Sequence, residues 1–97
     1  MSTVSLVEKA FRRSSSICAR SEQCEYEVYT RVIRWGLSDT EAAEVVKRLK
    51  EEGFIDNRRY ANAFVHDRWN YNRWGRLKII NNLRAKKIAQ DIIDEAL

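Results

Sequence analysis

Proline is absent from the sequence, and glycine occurs only at Gly36, Gly53 and Gly75. Sandwiches and barrels need such residues at most strand ends, so their scarcity leaves an all-α fold as the expectation. Cysteine is nearly as scarce: Cys18 and Cys24 match neither a C-x-x-C pair nor a metal-ligand spacing. One histidine, His66, cannot complete a zinc site with them, so no metal and no other cofactor is expected. A glycine-rich phosphate loop is missing, and no nucleophile is spaced with a base, which argues against an enzyme. No apolar run approaches about 18 residues, and the first residues lack a basic-then-apolar leader. The expectation is a cytoplasmic protein with no membrane segment.

What the sequence has is positive charge, concentrated in one region. Its 97 residues, 33% charged and 44% hydrophobic with a net charge of +4, suit one small folded domain with a modest core. Residues 1–56 hold nine basic and ten acidic side chains, residues 57–87 hold nine and one, and residues 88–97 hold none and three. The stretch NYNRWGRLKIINNLRAKK, residues 70–87, carries six basic residues, four asparagines and no acid. A regional basic surface of this kind is the electrostatic footprint of a polyanion binder.

The apolar spacing reads as six helices. Leu6, Val7, Ala10, Phe11, Ile17 and Cys18 mark the first, opened near Ser5 by an S-x-x-E capping box with Glu8. Tyr26, Val28, Tyr29, Val32 and Ile33 mark the second, with Ser21 as candidate N-cap and Gly36 as its end. Ser38 and Glu41 form another capping box ahead of Ala42, Val45, Val46 and Leu49, and Gly53 closes that third helix. Asp56 then caps a fourth, carrying Tyr60, Ala61, Phe64, Val65 and Tyr71. Gly75 separates it from a fifth with Ile79, Ile80 and Leu83, and Ile88, Ile92, Ile93 and Leu97 belong to a sixth. A shift of 51 residues lays Val28 on Ile79, Val32 on Leu83, Leu37 on Ile88, Ala42 on Ile93 and Val46 on Leu97. Two tandem three-helix repeats follow, residues 1–55 and 56–97, in one small elongated helical domain whose units bury what single units would expose. The first copy runs on past Val46 through KRLKEEGF, so the second is expected to be incomplete at its last helix.

The ordered set Leu49, Gly53, Phe54, Ile55, Asp56, Arg59, Tyr60, Ala61, Phe64, Trp74, Gly75, Ile79, Leu83, Lys86 and Ile88 resembles the RecX family of bacterial regulators of the recombinase RecA. The match covers about half the chain strongly and is specific as a set. It departs at Arg73 and Lys87, where the family commonly has glycine, and in length, since members usually carry three such repeats. The resemblance implies a non-enzymatic modulator lying in the groove of the RecA filament, touching successive protomers and inhibiting strand exchange and ATP hydrolysis or altering filament growth and disassembly; a monomer is expected, meeting DNA through the filament or weakly by itself.

The residues expected to meet that partner are Arg59, Arg73, Trp74, Arg76, Lys78, Arg84, Lys86 and Lys87. At 100° per residue, Arg59, Asn62, His66, Asn70 and Arg73 form a polar ridge on the fourth helix, opposite Tyr60, Ala61, Phe64 and Tyr71. Arg68 falls within the apolar stripe and is expected to make an ion pair or a helix-end contact. On the fifth helix, Lys78 is expected to point away from the core. Trp69 and Trp74 suit base stacking, interface anchoring or flanking core packing. The rival reading is a helix-turn-helix DNA-binding module, since RWGLSDTEAAEVVKRLKEEG spells helix, turn, helix. Residues 39–52, its reading helix, hold three basic and five acidic groups, the wrong sign for a polyanionic groove. A helical scaffold for protein contacts is a third possibility, marked by salt-insensitive binding.

Overall fold

A computed structural model describes residues 5–97, and the reading of the residues ahead of Ser5 as leaderless lies outside the described residues. It contains six helices: α1 (Leu6–Arg20), α2 (Glu25–Arg34), α3 (Asp39–Glu51), α4 (Asn57–Asn70), α5 (Arg76–Ala85) and α6 (Gln90–Ala96). No strand occurs among the described residues. The chain divides into two compact units, one ending at Asp56 and one spanning Asn57–Leu97.

In the first unit, α3 packs on both α1 and α2. Ala10, Phe11, Val28, Val32, Leu37, Ala42, Val45, Leu49 and Ile55 form its core. Ser38 accepts from the Glu41 N–H at 3.2 Å while the Glu41 carboxylate accepts from the Ser38 N–H at 2.9 Å, so both halves of that capping box form. At α1 only one half does. Ser5 accepts from the Glu8 N–H at 3.1 Å, while the Glu8 carboxylate turns to Arg48 at 3.5 Å and Arg12 at 3.9 Å. The Tyr29 hydroxyl donates to Asp39 at 2.7 Å, a bond that raises the phenol above its ordinary pKa.

Ser21 does not cap α2. It ends α1, donating its N–H to the Ile17 carbonyl at 3.2 Å, and α2 starts three residues later behind Cys24. The Glu27 carboxylate accepts the Cys24 N–H at 3.1 Å, and burying residue 24 fixes the helix start there. Ser14 is fully buried, and its hydroxyl has no hydrogen-bond partner among the described residues. An unmet buried hydroxyl costs stability, so Ser14→Ala is expected to stabilise the fold by about 1 kcal/mol in chemical denaturation. A loss instead would mean that the hydroxyl is satisfied in solution.

The second unit repeats the first at a shift of 51 residues: α1, α2 and α3 begin at 6, 25 and 39, and α4, α5 and α6 at 57, 76 and 90. The turn after α2 recurs bond for bond. Gly36 and Leu37 donate to the carbonyls of Ile33 and Val32, and Lys87 and Ile88 donate to those of Arg84 and Leu83. Tyr60, Ala61, Ile79, Leu83, Ile88 and Ile93 are buried here.

Tyr71 does not join that core. α4 ends at Asn70, leaving Tyr71 76% exposed. Asparagines on either side favour a turn, and Arg73 adopts a positive φ of 57°. The reversal brings Trp74 rather than Tyr71 against Phe64, with ring centroids 6.0 Å apart at 72°.

Candidate functional site

Most basic residues of the second unit fall into two sets. The first is committed to the fold. Lys78 is exposed and points away from the core as expected, and its ammonium sits 4.3 Å from the centre of the Trp74 ring. Arg68 lies over the same ring at 5.2 Å and over Phe64 at 4.7 Å, and donates to the Asn72 amide oxygen at 3.3 Å. It therefore makes the helix-end contact, with aromatic faces in place of a carboxylate. Trp74 is half-buried between these cations, so its faces serve packing first. The Arg84 guanidinium donates to Gln90 at 3.0 Å, and Gln90 passes the chain on to Asp94 at 2.9 Å.

Arg58, which sequence reasoning did not single out, pairs with Asp91 at 3.6 Å and with Glu95, joining α4 to α6. Its signal was the acidic start of α6, which needed a basic neighbour. Asp67, the single acid of residues 57–87, lies 3.5 Å from the His66 ring.

The second set is Arg73, Arg76 and Lys87. All three are exposed, and no carboxylate of the described residues pairs with them. Arg73 and Lys87 stand in the turns before and after α5, and Arg76 is its first residue. Arg59 is exposed on α4, and Lys86 is half-buried at the C-cap of α5.

The polar ridge holds for Asn62, His66 and Asn70, which line one cavity of about 360 Å³ with Val65, Trp69 and Arg76. Arg73 is not on it, because α4 has already ended. Trp69 is 55% exposed at this cavity, and His66 meets the Tyr71 ring edge-on at 6.2 Å. The Asn70 amide is occupied in part, donating to the His66 carbonyl at 2.8 Å.

Among the described residues, no cluster of His, Cys, Asp or Glu could hold a metal, and no helix is long and apolar enough to cross a membrane. In α3, the cations Arg48 and Lys50 are paired with Glu8 and Glu25 at 3.5 and 3.4 Å, which leaves that helix still more acidic in effect.

Residues 56–97 match the family model described as RecX, second three-helix domain. Regulatory protein RecX of Chlorobium phaeobacteroides is 31% identical over 90 residues, covering 93% of this chain and 60% of that protein. The protein of the same name in Halorhodospira halophila is 31% identical over 98 residues, covering 100% of this chain and again 60% of the relative. A crystal structure of regulatory protein RecX superposes with a TM-score of 0.86 at 24% identity, over 95% of this chain and 45% of that one. The chain thus spans about 60% of the length of these two curated relatives. With its repeated three-helix units, the chain is similar along its whole length to regulatory proteins RecX, and its residues 56–97 match the second three-helix domain of that family.

Proposed function

We propose that the chain is a non-enzymatic regulator that binds the filament formed by the recombinase RecA on DNA and inhibits strand exchange and ATP hydrolysis. Beyond the similarity to RecX proteins, the observation that carries this reading is the set of exposed cations around α5, Arg73, Arg76 and Lys87, without carboxylate partners among the described residues. Cations held in that state favour a polyanion, and a nucleoprotein filament offers phosphates and acidic protein surface together. The acidic α3 speaks against the helix-turn-helix alternative, since a helix reading a DNA groove needs the opposite sign.

The test is binding of this chain to RecA filaments and to bare single-stranded DNA across a salt series. Tighter binding to filaments, falling as salt rises, is the expected result. Equal and steeply salt-dependent binding to both would reduce the chain to a basic helical module. Binding insensitive to salt would favour a scaffold for protein contacts.

A further inference from the structure

Side chains disfavour left-handed backbone because Cβ crowds the neighbouring carbonyl, and glycine is the residue that escapes this. Among the described residues, the non-glycine positions with positive φ are Arg73, at 57°, and Lys87, at 60°. Both are cations, and they bracket one helix.

Neither turn demands a cation. The turn equivalent to that of Lys87 is made in the first unit by Gly36, at φ 102°, with the same pair of backbone hydrogen bonds. Beside Arg73 stands Asn72, and asparagine tolerates this conformation better than arginine does. Nor does the fold recover the cost through the side chains, which are exposed and pair with no carboxylate of the described residues. Backbone strain that gains nothing inside the fold collects where a protein meets its ligand.

We propose that Arg73 and Lys87 are the residues through which α5 holds the phosphodiester backbone of DNA, each kept at a left-handed turn at the expense of fold stability. This rests on the polyanion-binding reading above and assigns its contacts. Phosphate is the chemistry favoured because an exposed guanidinium fork and an exposed ammonium each pair with phosphate oxygens, and such backbone contacts hold a strand without reading bases. The ten residues of α5 alone span roughly 15 Å along its axis, so the turns that flank it present their cations to separate phosphates rather than to one. No acid interrupts that length, and Arg76 adds a third cation at its start.

The test compares the wild-type chain, the double variant Arg73→Gly/Lys87→Gly and the charge-preserving pair Arg73→Lys/Lys87→Arg. Each is melted and titrated with labelled single-stranded DNA and with RecA filaments across a salt series. Glycine at both turns is expected to raise the Tm by about 4–8 °C, as relief of ~1 kcal/mol does in a domain of this size. DNA affinity is expected to fall about tenfold or more, and the slope of log affinity against log salt to shrink by about 1.4, two single-strand phosphate contacts' worth. The charge-preserving pair is expected to bind like wild type. A stabilised glycine variant with unchanged DNA affinity and slope would overturn the assignment. So would loss confined to filaments with bare-DNA binding intact, since the contact would then be to protein carboxylates. A lower Tm for the glycine variant would remove the strain argument itself. If the wild-type chain bound neither DNA nor filaments, the polyanion reading would fall and this assignment with it.

Discussion

Leu49→Ala is expected to remove most of the stability of the first unit. Leu49 is 0% exposed in α3, the helix that packs against both others of its unit. Its carbonyl also accepts the N–H groups of Phe54 at 2.8 Å and Ile55 at 3.3 Å, which folds the chain beyond α3 back onto the core. There Phe54 meets Phe11 edge-on at 6.2 Å, and Arg48 covers the other aromatic partner at 3.8 Å from the Phe11 ring centre. Truncating a leucine in such a seat costs about 3–5 kcal/mol, from lost transfer energy and the cavity left behind. Small domains have only about 5–15 kcal/mol in total, so α1–α3 should lose most of their amide-exchange protection. Chemical denaturation and residue-resolved exchange measure both. A cost under about 1 kcal/mol would mean that the seat is not packed as described. Leu77→Ala is the matched control: Leu77 is 74% exposed, and its loss should move stability by no more than about 0.5 kcal/mol.

Reversing Arg73, Arg76 and Lys87 together to glutamate is expected to weaken binding to the RecA–DNA filament by about a hundredfold or more. Each lost charge-assisted contact is worth ~1 kcal/mol or more, and three such losses reach that factor. Lys78 is left in place because its ammonium rests on Trp74, and replacing it would disturb the Phe64–Trp74 packing as well as the charge. The control reverses Lys9, Arg20 and Lys47, three exposed cations of the first unit, and so makes the same change in net charge. If both triple variants bound equally poorly, net charge rather than this surface would govern association. If neither lost affinity, the basic surface would have no part in binding.

The helices and their repetition were legible because the apolar spacing carries them. The shift that lays Val32 on Leu83 is the shift between the starts of α2 and α5. Ser38 and Glu41 spelled out their own cap. The misreadings fall where geometry between elements decides. Ser21 and Cys24 compete for one role, and burial of the cysteine settles it. Tyr71 continues the apolar stripe of α4 on paper, but the turn at Arg73 delivers Trp74 to Phe64 instead. For the candidate site, sequence locates the charge and cannot sort it. That Lys78 and Arg68 spend their cations on one indole ring depends on where the chain reverses. That Arg58 reaches Asp91 and Glu95 depends on α4 lying against α6.

The closure of the first unit's core over residues 10–55 has a consequence for synthesis. Helical domains built from contacts this near in sequence fold in roughly microseconds to milliseconds, whereas a ribosome adds only about 5–20 residues per second. Every partner that Leu49 needs lies at or before Ile55, so this core can close as soon as that residue has left the ribosome, with no part of α4–α6 required. With no proline in the chain, no slow peptide-bond isomerisation delays that step.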